Sequence, residues 1–443
     1  MGGHVTVIGA GLAGCEAAWV LAESGIDVTL CEMKPQKFSP AHKYTGFAEL
    51  VCSNSLKALR VESAAGLLKA EMRMLGSLTL RCADSAAVPA GGALAVDRNV
   101  FSDTVTAAVR SHPRITVCEG AEVTALPEGK VIIATGPLTS DALAQNIREL
   151  CGGEYLSFFD AAAPIVTAES IDYSEVFFAA RYGRGDDDYI NCPFSKEQYE
   201  LFYAALAGAE TCELHEFDKA APAVYEGCMP VEVLAGRGVD TLRYGTMRPV
   251  GLTDPRTERR PWAVVQLRKE NREGTLYNLV GFQTNLKFPE QKRVFSFIPG
   301  LANAEFARYG VMHRNTFLDS PRLLDACFRL RKDENIFFAG QITGVEGYME
   351  SAASGLLAGI HLAREMLGKP QLRLPATTML GALSAYISDE SIRDFQPMGA
   401  NMGILPSLPE KVKGKQERYG VLAERSLKDL QRAISITEEL LSL

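Results

Sequence analysis

Apolar residues along the first thirty positions fall in two rhythms. Residues 5–8 (Val-Thr-Val-Ile) form a short β-branched run, whereas beyond Gly9, Gly11 and Gly14 small and apolar side chains recur every three or four positions as far as Ser24. A second run follows over residues 27–31. This order predicts strand, tight turn, helix and strand, because alternation suits a pleated chain and a period of 3.6 a helical one. Helical spacing returns over residues 62–75, another helix is expected to open within residues 95–102, and strands are expected at 115–118 and 130–136. From about Pro164 to Asp319 aromatic and charged residues alternate and glycine and proline punctuate, the texture of a strand-rich insertion. Residues 335–359 restore the opening rhythm as strand, glycine turn and a helix of mostly small residues, and a last amphipathic helix is expected over 416–441. The pattern predicts an α/β chain: a discontinuous Rossmann-like domain, residues 1–163 and 320–443, carrying a smaller inserted α+β domain, residues 164–319.

The first turn carries chemistry as well as geometry. In Gly9-Ala10-Gly11-Leu12-Ala13-Gly14 the first glycine permits the turn, the second lets backbone approach a pyrophosphate, and the third lets the helix press on the sheet, so that phosphates meet free N–H groups at a helix N-terminus. The second predicted strand ends on Glu32, whose carboxylate suits ribose hydroxyls and would repel a 2′-phosphate. The ligand expected here is therefore FAD or NAD rather than NADP. The later strand ends on Thr135-Gly136, small residues that let backbone pass close to a cofactor. The stretch Gly340-Gln341-Ile-Thr-Gly344-Val-Glu-Gly347 resembles the closing strand and turn of an FAD-binding fold, for which a simple NAD dehydrogenase has no need.

Composition narrows the class. With 443 residues, 47% of them hydrophobic, the chain can bury a large core. No apolar run reaches membrane-spanning length and no secretory leader is evident, so a cytoplasmic protein with no membrane partner is expected. Ten cysteines without a CxxC pair fit a reducing compartment, and six histidines without paired spacing give a metal little support. Neither a GxSxG elbow nor a P-loop is present, which disfavours a hydrolase or nucleoside triphosphatase. The net charge of −8 hides an asymmetry: residues 243–314 hold thirteen Lys or Arg against six Asp or Glu, a local balance of +7. Aromatic residues interleave with them, an arrangement that suits RNA phosphates and bases and equally suits a solvated sheet face with its rings in the core.

Two cysteines stand out. Cys228, in Glu226-Gly-Cys-Met-Pro230, is expected on a turn, and Cys52 precedes Ser53, Asn54 and Ser55, residues that cap helices, where a helix N-terminus would lower a thiol pKa from about 8.5 toward neutrality. These blocks, with Ala48-Glu-Leu-Val-Cys-Ser-Asn-Ser-Leu56, Tyr309-Gly-Val-Met-His-Arg-Asn-Thr316, Ala339–Tyr348 and the Phe-Gln-Pro-Met loop, resemble the bacterial folate- and FAD-dependent tRNA (uracil-5-)-methyltransferases, the TrmFO family, which are related to GidA. The resemblance implies methylation of a T-loop uridine of tRNA at C5, with carbon from 5,10-methylenetetrahydrofolate, reducing equivalents from NADPH or NADH, and FAD as one-carbon carrier and hydride donor. It further implies that Cys228 adds to C6 of the uracil, that Cys52 is the second functional thiol, with the two roles open to exchange, and that His313 and Tyr348 contact folate. Arg248, Arg256, Arg259, Arg260, Lys287, Lys292 and Arg293 are the cations expected at the RNA. Three other readings stay open: the same chemistry on ribosomal RNA, a flavin reductase of a small substrate, and an RNA-binding factor with structural FAD.

Overall fold

The computed structural model describes residues 3–152, 155–161, 163–183, 187–212, 229–271, 274–310, 312–393 and 395–439. The chain opens with β1 (His4–Ile8), α1 (Leu12–Glu23), β2 (Asp27–Glu32), β3 (Ser55–Ala58), α2 (Ala64–Met74), α3 (Leu78–Ser85), β4 (Ala87–Val88), β5 (Ala93–Val96), α4 (Arg98–Ser111), β6 (Ile115–Glu119), β7 (Lys130–Ile133) and α5 (Asp141–Leu150). The middle holds β8 (Tyr155–Ala161), β9 (Ile165–Thr167), β10 (Phe177–Phe178), β11 (Tyr189–Phe194), α6 (Lys196–Ala207), α7 (Val231–Gly236), α8 (Thr241–Tyr244), β12 (Ala263–Lys269), β13 (Leu276–Leu279), α9 (Phe288–Phe295), β14 (Phe306–Arg308) and β15 (Met312–Leu318). It closes with α10 (Ser320–Leu323), β16 (Ile336–Phe338), α11 (Tyr348–Met366), α12 (Met379–Ser388) and α13 (Lys415–Glu439).

Five parallel strands in the order β16-β7-β1-β2-β6 form the first sheet, so the N-terminal strand pairs with β2 on one side and β7 on the other, and the late strand β16 completes the far edge. Parallel strands with helices packed on their faces are buried on both sides, which is why these segments read as near-continuous apolar runs. Six antiparallel strands in the order β10-β11-β12-β13-β9-β14 form the second sheet, and β8 pairs with β15 in a two-stranded ribbon. One apolar core gathers residues from Val5 to Cys151 and again from Phe317 to Ala423; another gathers residues from Val166 to Ala304. The α/β class expected from the pattern is the class observed.

Helix α1 lies against α11, and glycine makes that contact possible. A Cβ on Gly355 would sit 2.1 Å from the Ala13 carbonyl oxygen, and one on Gly359 would sit 3.1 Å from Ala17. The small residues of the last dinucleotide-type helix therefore serve helix–helix packing along this face. Two helices are capped from a distance. The buried carboxylate of Glu16 on α1 accepts the N–H groups of Leu78 (3.1 Å) and Thr79 (2.9 Å) at the start of α3, and Glu71 on α2 accepts those of Met379 and Leu380 (both 2.8 Å) at the start of α12. Burial raises the pKa of both carboxyls, and the hydrogen bonds oppose it.

Lys69 on α2 is fully buried and its ammonium donates to the Leu56 carbonyl (2.7 Å), while burial pulls its pKa from the ordinary lysine value down to about 8. Between that value and the unfolded value of about 10.4 the unfolded chain binds more protons than the folded one. Stability is therefore expected to rise with pH across that window, and chemical denaturation at several pH values should show the rise in the natural protein and lose it in Lys69→Met.

One local boundary departs from expectation. No helix starts after Cys52: Ser53, Asn54 and Ser55 lead into strand β3, and α2 is capped by Ser63, whose side chain accepts from Gly66 N–H. The helix expected to open within residues 95–102 does so as α4, from Arg98, just after β5 ends at Val96, with Asp97 capping it through the N–H groups of Asn99 and Val100. Among the described residues no helix is long and apolar enough to cross a membrane.

Candidate functional site

A cleft of about 440 Å³ opens over the C-terminal ends of β1, β2 and β7, the place where open α/β sheets bind ligands. Its walls include Gly9, Ala10, Gly11, Leu12, Ala13 and Glu32, then Thr135 and Gly136, and from the other side Gly340, Gln341, Gly347 and Tyr348. Helix α1 starts at Leu12, and Gly11 before it offers no side chain to cap it, which leaves first-turn N–H groups facing the cleft. A Cβ on Gly11 would meet nothing within 4 Å, so that position is open toward a ligand. Gly9 has φ +97°, and a Cβ there would lie 2.7 Å from the Ala134 carbonyl oxygen; one on Gly14 would lie 1.8 Å from that of Gly9. The three glycines thus do three different jobs, as the motif requires.

Glu32 is buried at the end of β2. Its Oε2 accepts the Ala10 N–H (2.8 Å) and its Oε1 the Lys34 N–H (3.0 Å). These bonds fix the carboxylate across the turn, and each oxygen keeps a lone pair for a ribose hydroxyl. The uncapped helix, the open backbone at Gly11 and the oriented Glu32 fit the pyrophosphate and ribose of an adenine dinucleotide. Gly344 lies apart from the cleft wall: it adopts a left-handed conformation (φ +79°), and a Cβ there would strike the Phe395 ring at 2.5 Å. Its role is to turn the chain between β16 and α11.

Cys52 lies on the cleft wall beside Tyr348. The Tyr348 hydroxyl oxygen accepts the N–H of Cys52 (2.7 Å) and of Ser53 (3.2 Å) and stands 3.0 Å from Cys52 Sγ. Burial, followed by the charge on Cys52, pushes the Tyr348 phenol well above its ordinary pKa. Cys228 lies outside the described residues, and His313 is placed only by its backbone, in β15 with Asp160 as its register partner in β8. Cys15, by contrast, is buried in α1, and its thiol is raised by that burial.

The seven nominated cations differ in availability. Arg256 is bound to Asp254 (2.8 Å), Lys287 to Glu210 (2.7 Å) and Arg293 to Glu290 (2.6 Å). Arg248, Arg259, Arg260 and Lys292 are exposed and have no ion pair among the described residues.

Sequence reasoning passed over several residues of the cleft. Lys34 is nearly buried, with its ammonium on the carbonyls of Tyr44 (3.0 Å) and Gly46 (2.5 Å). Lys57 pairs with Glu350 (3.0 Å) at the first turn of α11, and Gln283 reaches the cleft from the second sheet's side of the molecule. Lone polar residues between glycines and prolines carry no periodic signal. Only the fold brings them to one wall.

Fold and cleft together define a Rossmann-type flavoprotein with a strand-rich insertion. The chain belongs to the glucose inhibited division protein A (GidA) family, whose model matches residues 4–370, and within it to the TrmFO proteins. It is 60% identical over 433 residues to a protein of Acetivibrio thermocellus named methylenetetrahydrofolate–tRNA-(uracil-5-)-methyltransferase TrmFO, covering 98% of this chain and 99% of that one. It is 54% identical to the protein of that name from Halalkalibacterium halodurans, covering 97% and 98%. Among solved structures, Aquifex aeolicus GidA has the same fold, with a TM-score of 0.69 at 16% identity, over 99% of this chain and 75% of that one.

Proposed function

We propose that this protein is a methylenetetrahydrofolate–tRNA-(uracil-5-)-methyltransferase that uses FAD. The observation that carries the reading is the likeness to TrmFO proteins, 60% identity in the first case, over 98% of this chain and 99% of that one. The cleft supports it, since the turn, the uncapped α1 and Glu32 suit the adenine dinucleotide half of such a cofactor. When bound, FAD supplies a carrier for the one-carbon unit and a hydride to complete the methyl group.

The chain's own residues do the rest. Glu32 orients the ribose, and the first turn of α1 receives the pyrophosphate. C5 of uracil is a poor nucleophile until a thiolate adds at C6, work that suits cysteine, and Cys228 takes that role. Cys52, held on the cleft wall, removes the C5 proton or guards the carbon on its way across. His313 and the ring of Tyr348 flank the folate. Arg248, Arg259, Arg260 and Lys292, exposed and without an ion pair among the described residues, lead in holding tRNA phosphates. Arg256, Lys287 and Arg293 contribute after exchanging their carboxylates for phosphate. The catalytic half comprises residues 1–163 and 320–443, and residues 164–319 form the inserted domain that meets RNA. NADPH or NADH would supply the reducing equivalents.

The test is direct. Protein, labelled methylenetetrahydrofolate, reduced nicotinamide and unmodified tRNA should together yield labelled 5-methyluridine. Label appearing in ribosomal RNA and not in tRNA would overturn the choice of substrate, and label in neither would overturn the reading.

A further inference from the structure

The loop that carries Cys52 is gripped from helix α4 and from strand β12. Arg98 at the start of α4 donates through Nη1 to the carbonyls of Leu50 (2.7 Å) and Val51 (2.9 Å). Arg268 on β12 donates through Nη2 to Ser53 Oγ (2.6 Å) and through Nε to Asn54 Oδ1 (2.8 Å). Asn54 in turn donates to the carbonyls of Val96 (3.1 Å) and Lys269 (2.7 Å). Backbone on both sides of the sulfur is thereby fixed.

At the centre stands Tyr348. A phenol oxygen has two lone pairs and one hydrogen. The N–H groups of Cys52 and Ser53 take up its acceptor capacity, so its hydrogen is the part of the hydroxyl left to face Sγ, 3.0 Å away. The bond runs from Tyr348 Oη–H to Cys52 Sγ.

We propose that Tyr348 is a positioning residue that stabilises Cys52 as its thiolate, donating the phenol hydrogen to the sulfur from a hydroxyl pinned by the Cys52 loop itself. The proposal rests on the reading of Cys52 as a functional thiol and adds how it is made reactive. The charged surroundings agree. Arg98, Arg268 and Arg308, from α4, β12 and β14, face this region with Glu270 as their buried carboxylate, and Arg98 pairs with Glu270. Lys57 on β3 and Glu350 on α11 pair with each other nearby. The charges leave a net positive field. Among the described residues two nitrogens of the Arg308 guanidinium, Nε and Nη2, have no hydrogen-bond partner, so its charge is not spent on a local acceptor there. Burial lowers the Arg308 pKa to about 10, while Glu270, Tyr348 and Cys52 pull the other way; it remains a cation at neutral pH. The raised Tyr348 phenol stays protonated and keeps its hydrogen to donate.

The experiment follows alkylation of Cys52 by iodoacetamide against pH in the FAD-loaded protein, with the Cys52 peptide quantified by mass spectrometry because exposed Cys118 and Cys212 also react. The natural protein should show a midpoint clearly below the ordinary thiol value of about 8.5. Tyr348→Phe keeps the ring and removes the donor, and should raise the midpoint by about one unit, or slow alkylation at neutral pH about tenfold. Equal midpoints in the two proteins would overturn the proposal. So would a natural midpoint at or above the ordinary value, a measurement that decides even if Tyr348→Phe fails to fold or loses its flavin. Alkylation needs no turnover. A low, Tyr348-dependent midpoint in a protein that leaves tRNA unmethylated would therefore sink the methyl-transfer reading and spare this one.

Discussion

Gly14→Ala is expected to yield a protein that unfolds at far lower denaturant than its parent and retains no flavin. One added methyl suffices, because the Cβ would lie 1.8 Å from the Gly9 carbonyl oxygen and 3.0 Å from its carbon. Neither side can retreat. Gly9 donates its N–H to the Cys31 carbonyl (2.8 Å), Ala134 sits against it, and α1 is wedged on the far side by Ala13 and Ala17 against Gly355 and Gly359. Overpacking where the neighbour is immovable backbone costs about 3 kcal/mol or more, a large part of a typical domain's stability. The companion substitution separates fold from ligand. Gly11→Ala adds its methyl to open space at an ordinary backbone conformation (φ −75°), so denaturation should be nearly unchanged while flavin affinity falls, the methyl now standing where pyrophosphate approaches. Similar losses of stability in both variants would refute the division of labour between these glycines.

The second large effect concerns the thiols. Cys52→Ala should keep its flavin and its melting transition, since the Cys52 N–H still reaches Tyr348 and the loop is still held by Arg98, Arg268 and Asn54. Transfer of labelled carbon to tRNA should fall by roughly 10²-fold or more, the loss typical when a positioned proton-transfer group is removed. Cys228→Ala should abolish transfer altogether, because without addition at C6 there is no activated C5 to receive the carbon. Single-turnover assays with pre-reduced enzyme keep flavin reduction out of the comparison. Unaffected rates in both variants would refute the assignment of the thiols.

Much of the half built on the parallel sheet was legible along the chain. The glycine turn, the strand before it, the helix after it and Glu32 at the next strand end are linked over about thirty residues, where local conformation and hydrophobic period suffice to specify them. The reading of Ser53, Asn54 and Ser55 as helix caps shows where that logic stops. Those side chains do make capping-type hydrogen bonds, but their partners include Arg268 and the Lys269 carbonyl more than two hundred residues away, and the segment becomes a strand entrance. The cations divide for the same reason: Lys287 meets Glu210 across the fold, and no composition count could have removed it from the free set.

By itself the sequence determined the α/β class and the dinucleotide turn and singled out Cys52 as a candidate thiol, because each depends on neighbours close in the chain or on residue type alone. Tertiary structure decided the setting of that thiol. Tyr348 and Arg98 come from helices α11 and α4, Arg268 and Arg308 from strands β12 and β14 of the second sheet, and hydrogen bonds and electric fields act through space, over ångströms, without regard to separation along the backbone.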